Sequence, residues 1–226
     1  WSNDTHKDNI FRILVAITNA VLSRLDMDEL VSEVSKEIHH YFKIDAISIA
    51  LRGHRKGKLN IYSTHYLDEA NPAHEQSEVD EAGTLSERVF KSKEILLLNL
   101  SEQDPVAPYE RMLFNTWGNK IQTLCLLPLM SGNTMLGVLK LAQCDEAVFT
   151  TANLKLLRQI AERISIALDN ALAYQEIHRL KERLVDENLA LTEQLNNVDS
   201  EFGEIIGRSD AMYSVLKQVE MVAQSD

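Results

Sequence analysis

The side chains of this 226-residue chain that are placed to do chemistry suit holding a small anion better than breaking a bond. Arg111 carries a planar guanidinium that can grip a carboxylate through two parallel hydrogen bonds. Thr84 follows Gly83 and opens a short helix, whose first backbone amides lack intrahelical partners. With the hydroxyls of Thr84 and Ser86 they form a ready anion cradle. Lys140 interrupts an otherwise apolar strand, where a charge needs a reason. If Gly132-Asn133 form a two-residue turn, Lys140 lies directly opposite Cys125. Tyr109 and Trp117 share the segment that carries Arg111 and join it as candidate effector contacts. Each candidate also has a plainer reading. Arg111 could form a surface ion pair with Glu110 or Glu102, and Thr84 could be an ordinary helix cap. Lys140 could thread its stem to solvent or pair with an acidic helix residue, and Cys125 could be a small core residue among leucines. An enzyme is not expected, because neither an activated nucleophile nor a carboxylate pair emerges.

Metal and redox chemistry are not expected either. His39 and His40 are adjacent on a helix and so point to different faces, while His54, His65 and His74 are scattered. Cys125 and Cys144 fall about four residues out of register on paired strands, on the order of 13 Å apart, beyond disulfide reach. Two reduced thiols fit a cytoplasmic protein. The formal charge of -11, from 23 Lys+Arg against 34 Asp+Glu, works against the phosphate contacts that dominate nucleic-acid affinity. The basic run Arg52 to Lys58 reads as a solvated hairpin tip. Trp1 to Asn9 is polar, and no apolar run approaches the roughly 18 residues of a membrane span, so no membrane partner is expected. A chain that starts at Trp1 and stops at Asp226 is expected to be a piece of a larger protein.

Positioning these residues requires a layered domain. Ile10, Leu14, Ile17, Val21 and Leu25 recur at helical spacing, as do Leu30, Val31, Val34, Ile38 and Phe42, so two helices are expected first. Asp45 to Arg52 and Lys58 to Tyr66 read as a hairpin around Gly53 and Gly57. Leu67 to Ala82, acidic and polar, reads as a mobile surface loop. A short helix over Thr84 to Ser92 precedes Glu94 to Leu100, expected as a buried third strand, and Pro105 to Gly118 as a loop with a short helix. Gln122 to Met130 and Thr134 to Cys144 form a second hairpin, apolar on both faces and therefore central. From Thr150 or Thr151 a long helix keeps three-four spacing through Leu154, Leu157, Ala161, Ile164, Leu168 and Ala171. Past Tyr174 the pattern continues through Ile177, Leu180, Leu184, Leu191, Leu195 and Val198, with Asn188 at a core position. That spacing predicts a nearly straight parallel helix pair whose register Asn188 fixes. The alternative is a single amphipathic helix lying back on its own domain.

This order of elements resembles the GAF family, and LLPLMSGNTMLGVLKLA, Leu126 to Ala142, is similar to its most recognisable hairpin. The likeness covers roughly residues 10 to 175. The fold it implies is α/β (α+β): a central antiparallel sheet with helices on both faces, followed by a long linker helix. Gly137 is then expected to let a helix approach the sheet closely. The family's effector pocket lies on the sheet face covered by the short helices, which would gather Thr84, Ser86, Arg111 and Lys140. Some relatives in this class hold iron or a bilin, but the residues for either do not assemble here. EFGEIIGRSDAMYSVLKQVEMVAQSD, Glu201 to Asp226, resembles the opening of the AAA+ ATPase domain of sigma-54-dependent transcription activators. The division implied is a sensory domain over 1–175, a helical linker over 176–199 and the start of an ATPase over 200–226. In that family Ile206 and Gly207 lie beside the adenine of ATP. No phosphate-binding loop follows them here, so ATP and magnesium are expected only with the full-length protein. The whole run is similar to the formate-responsive members of that family, which implies formate as effector and a homodimer through the N- and C-terminal helices. Sigma-54 RNA polymerase and enhancer DNA would be met only through other domains. A ligand-free relay that serves only to dimerise stays open beside this reading.

Overall fold

The computed structural model describes residues 12, 15–16, 18–19, 27–53, 55–66, 72–100, 110, 112, 121–144, 149–208, 213–214 and 217, with side chains of the long helix described through Gln194. Most of the expected first helix lies outside these residues, although Arg12, Val15, Ala16, Thr18 and Asn19 are helical. Two compact units divide at residues 174 and 175.

In the first unit, helix α1 (Met27–Phe42) buries Leu30, Val31, Val34, Ile38 and Phe42 on one face, as their spacing requires. It ends at Lys43, whose left-handed backbone (φ 56°) returns its N–H to the His39 carbonyl at 2.7 Å. Strands β1 (Ala46–Arg52), β2 (Lys58–His65) and β3 (Ala73–Asp80) follow, then helix α2 (Leu85–Ser92) and strand β4 (Leu96–Asn99). Strands β5 (Thr123–Ser131) and β6 (Thr134–Gln143) form the second hairpin, and helix α3 begins at Thr151. The strands make one six-stranded sheet in the order β3-β2-β1-β6-β5-β4, antiparallel at every pairing.

Alternation divides the sheet's side chains between two cores. Ile47, Ile49, Leu51, Cys125, Leu127, Leu129, Leu139 and Leu141 pack with α1 and with Leu157, Ile160, Ile164 and Leu168 of α3. Ala46, Ala50, Leu59, Ile61, Leu124, Leu126, Val138 and Ala142 face the other way, toward Leu85, Val89 and Phe90 of α2. Helices therefore cover both faces of an antiparallel sheet, as expected.

Four expectations need correction. Residues 73–80 form edge strand β3, fully registered against β2 from Ala73↔His65 to Lys58↔Asp80, where a mobile loop was expected. Its residues are exposed apart from half-buried Val79, so it shows no apolar alternation, and its charges suit an edge that must not pair further. Residues 67–71 lie outside the described set. Strand β4 is not a buried strand: it is the opposite edge of the sheet, with Leu98 buried and Leu97 45 % exposed. At Gly137 a Cβ would meet Leu51 Cδ2 at 2.6 Å and the Ala50 carbonyl oxygen at 2.7 Å. The glycine thus accommodates strand β1, not a helix. Finally, Gly132-Asn133 do form the two-residue turn between Ser131 and Thr134, but a bulge follows at Leu129/Met130. The extra residue, Leu136, shifts the body of the hairpin by one. Lys140 accordingly pairs with Leu126, and Cys125 with Leu141.

In the second unit the helical course continues to Arg208. Ile177 (64 % exposed), Leu184 (58 %) and Leu191 (57 %) remain open to solvent, as do Leu180, Val185 and Leu189. Asn188 Nδ2 donates to the Leu184 carbonyl at 3.0 Å, holding its own helix.

Candidate functional site

The bulge decides which face of the sheet receives the one lysine in the central strand. Lys140 points to the α2 side and is 6 % exposed. There it lies in a row of paired residues running Ser63, Ser48, Lys140, Leu126 across β2, β1, β6 and β5. The neighbouring row runs His65, Ala46, Ala142, Leu124. Small side chains at Ala46, Ser48, Ser63 and Ala142 leave room above the sheet, and these residues line a cavity of about 20 Å³ closed by Leu85 and Glu110. That is room for about one water-sized group, since one water needs roughly 10–15 Å³.

Glu110 is the acid that answers Lys140. It is 2 % exposed, and its Oε1 lies 3.7 Å from Lys140 Nζ. The same oxygen accepts a hydrogen bond from the Leu85 backbone N–H at 3.1 Å. Leu85 is the first residue of α2, so the amide that Glu110 satisfies is one that the helix cannot, at the end where the dipole favours a negative charge. Glu110 Oε2 is buried and has no hydrogen-bond partner among the described residues. Burial pulls the Lys140 ammonium below the usual lysine range, and the Glu110 carboxylate opposes that pull. His65 lines the same cavity and is held below the ordinary histidine value, chiefly by burial, although Glu75 at 3.5 Å favours its charged form. The cavity thus holds a buried lysine, a buried glutamate and an imidazole biased toward neutrality.

The structure separates the other sequence candidates. Thr84 caps α2: its Oγ1 accepts from Glu87 N–H at 3.1 Å and donates to the Glu81 carbonyl at 2.8 Å. Glu87 Oε2 in return accepts from Gly83 N–H at 2.7 Å, a reciprocal cap at the helix start. Ser86 is fully buried, and its hydroxyl has no hydrogen-bond partner among the described residues. Cys125 lies on the opposite face, among the leucines under α1 and α3, and burial pushes its thiol up to about 12. It neither opposes Lys140 nor lines the cavity. Arg111, Tyr109 and Trp117 lie outside the described residues, as does the side chain of Ile206, and of Gly207 only the helical backbone is described. Both cysteines are free thiols. Among the described residues no group of three or more His, Cys, Asp or Glu could hold a metal ion.

Sequence reasoning treated Glu110 as a surface acid and passed over His65, Ser48 and Ser63. A signal for the cavity was present in β1, where Ala46, Ser48 and Ala50 put small residues at every second position beneath a helix. Glu110 had no such signal.

A wider groove of about 510 Å³ opens between α1 and strands β2 and β3, lined by Asp28, Glu29, Glu33 and Glu75 with His74. Four carboxylates make it a poor host for an anion. The smaller cavity is therefore the candidate site.

The GAF domain model matches residues 26–168. This chain belongs to the GAF family. It is 88% identical over 220 residues to the formate hydrogenlyase transcriptional activator of Salmonella typhimurium strain SL1344, covering 97% of this chain and 32% of that protein. It is 36% identical over 217 residues to the DNA-binding transcriptional activator HyfR of Escherichia coli K12, covering 95% of this chain and 32% of that protein. The chain thus spans about a third of the length of the curated relatives it matches. Among solved structures, the GAF domain from a phosphoenolpyruvate-protein phosphotransferase of Coxiella burnetii superposes with a TM-score of 0.60 at 15% identity, covering 74% of this chain and 97% of that one. At that identity the likeness concerns the fold. Among the described residues no helix is long and apolar enough to cross a membrane.

Proposed function

We propose that this chain is the effector-sensing region of a sigma-54-dependent transcription activator, and that formate is the effector. The observation that carries the reading is the small, buried, lysine-bearing cavity on the α2 face, in a chain 88% identical to a formate hydrogenlyase transcriptional activator. Formate has three heavy atoms and one negative charge. A buried cavity this small, with an ammonium and a helix start, favours the smallest carboxylate over larger ones.

Occupancy would pass along α3, whose Leu157, Ile164 and Leu168 pack beneath the sheet. The partner proposed for the exposed Ile177, Leu184 and Leu191 stripe is a second copy of this chain in a parallel pair, with the N-terminal helix contributing to the same dimer. ATP and magnesium, sigma-54 RNA polymerase and enhancer DNA are assigned to domains other than this one, with a cytoplasmic setting for the whole. The function controlled would be transcription of formate hydrogenlyase genes.

The test is a titration of the chain with formate, acetate and nitrate, following backbone amide shifts. Three heavy atoms at a ceiling of about 1.5 kcal/mol each set the best dissociation constant near 0.5 mM, so millimolar ligand is required. Saturable shifts at Leu85 and Lys140 with formate alone are expected. Linear or absent shifts at tens of millimolar would remove formate sensing from this domain and leave it a dimerising relay.

A further inference from the structure

Adding an anion to this cavity raises a problem of charge. Among the described residues that line the cavity, Lys140 is already faced by Glu110, so a second carboxylate beside the pair would leave them with a buried excess of negative charge, which a low-dielectric site resists. Glu110 also holds the groups that a bound carboxylate would seek, the Lys140 ammonium and the Leu85 amide at the start of α2. Its second oxygen is buried without a hydrogen bond among the described residues, and the residue lines the same cavity.

Resting on the effector-sensing reading above, we infer that Glu110 is a tethered stand-in for the effector, seated in a carboxylate site built from Lys140 Nζ and the first amides of α2. A small free carboxylate would bind by taking that seat, not by adding to it. The site is thus a competition between an intramolecular carboxylate and a dissolved one. A tethered group acts at the high effective concentration of its attachment. The free ligand's apparent dissociation constant is raised by the fraction of time that the seat is filled from within. Signalling follows from the exchange: the effector matters because it frees Glu110 from Leu85 and Lys140.

Truncating Glu110 to alanine removes four heavy atoms, the Cγ, the Cδ and both oxygens, which are the heavy atoms of acetate. In the Glu110→Ala chain formate is expected to bind at least tenfold more tightly than in the unaltered chain. Acetate, disfavoured before, is expected to bind as well, and both should raise a thermal midpoint lowered by the substitution. Glu110→Gln, nearly isosteric, keeps the fold if alanine does not and should tighten formate severalfold. The double variant Lys140→Met with Glu110→Gln should lose binding of either ion by more than tenfold. Equal or weaker formate binding in Glu110→Ala and Glu110→Gln, with the unaltered chain still responding, overturns the stand-in and leaves formate sensing intact. An unaltered chain silent to formate beside a Glu110→Ala chain that binds it supports the seat and defeats sensing by this domain. Silence in all of them defeats both.

Discussion

The two faces of the central sheet are built from the same strands and do opposite work. Toward α1 and α3, Ile47, Ile49, Leu127, Leu129, Leu139 and Leu141 are each at most 1 % exposed, and the face is a close-packed apolar layer. Toward α2, the alternate residues of β1, β2 and β6 include Ser48, Ser63, His65 and Lys140 around a cavity closed by Glu110. Neighbouring residues on one strand thus belong to a layer that holds the fold together or to the layer proposed to answer a ligand. Because alternation keeps them apart, the α2 face can carry charge and empty space while the other supplies the stability that tolerates both.

Unpairing the buried charges is expected to have the largest effect. Lys140→Met leaves the Glu110 carboxylate buried without its cation and should cost about 3–5 kcal/mol in denaturant unfolding. Adding Glu110→Gln should recover most of that loss, because a buried pair replaced as a pair is close to neutral. A double variant as unstable as the single one would mean that the pair is not coupled as the 3.7 Å contact implies. Next, Leu139→Ala on the apolar face should cost about 3 kcal/mol while leaving formate affinity of the folded chain within twofold. A large change in affinity would show that the two faces are not separable.

The smallest effect concerns His65. Its folded pKa is depressed, chiefly by burial, so the unfolded chain takes up a proton near pH 6.5 that the folded chain refuses. The contribution is therefore fully present above the unfolded value and is lost progressively as pH falls below 6.5 toward the folded value. The stability of the unaltered chain should fall more steeply between pH 7 and 5 than that of His65→Gln, measured as the difference between the two profiles. Parallel profiles would place His65 in contact with water.

Much of the apolar layer was legible in the sequence, because helical and strand periods report burial directly. Both hairpins, the capped helix at Thr84 and the long helix were read from spacing. Strand β3 was missed because an exposed edge carries no alternation, and its pairing with β2 depends on backbone groups that side-chain patterns do not report. The layer around the cavity was legible only in part. Lys140 stood out, but its direction turned on one extra residue at the bulge, and counting from the Gly132-Asn133 turn placed it opposite Cys125. The expected pairing of Lys140 with an acidic helix residue is met, but that the acid is Glu110 was not legible: a lone acid in a polar segment becomes buried only because the fold brings a lysine from 30 positions downstream to meet it.

Leu136 has a consequence for how this hairpin can change length. The turn is anchored by Gly132, whose φ of 55° suits glycine, while the body is anchored by the burial of Leu139 and Leu141. These two anchors are out of step by one residue, and the bulge takes up the difference. Losing Leu136 would leave Gly137 paired with Leu129 and Lys140 with Leu126, a regular ladder with every later side chain on its present side. Losing a residue between Gly137 and Lys140 would carry the ammonium into the leucine layer. The hairpin therefore has one joint at which it can be shortened, and that joint lies on the turn side of the charge.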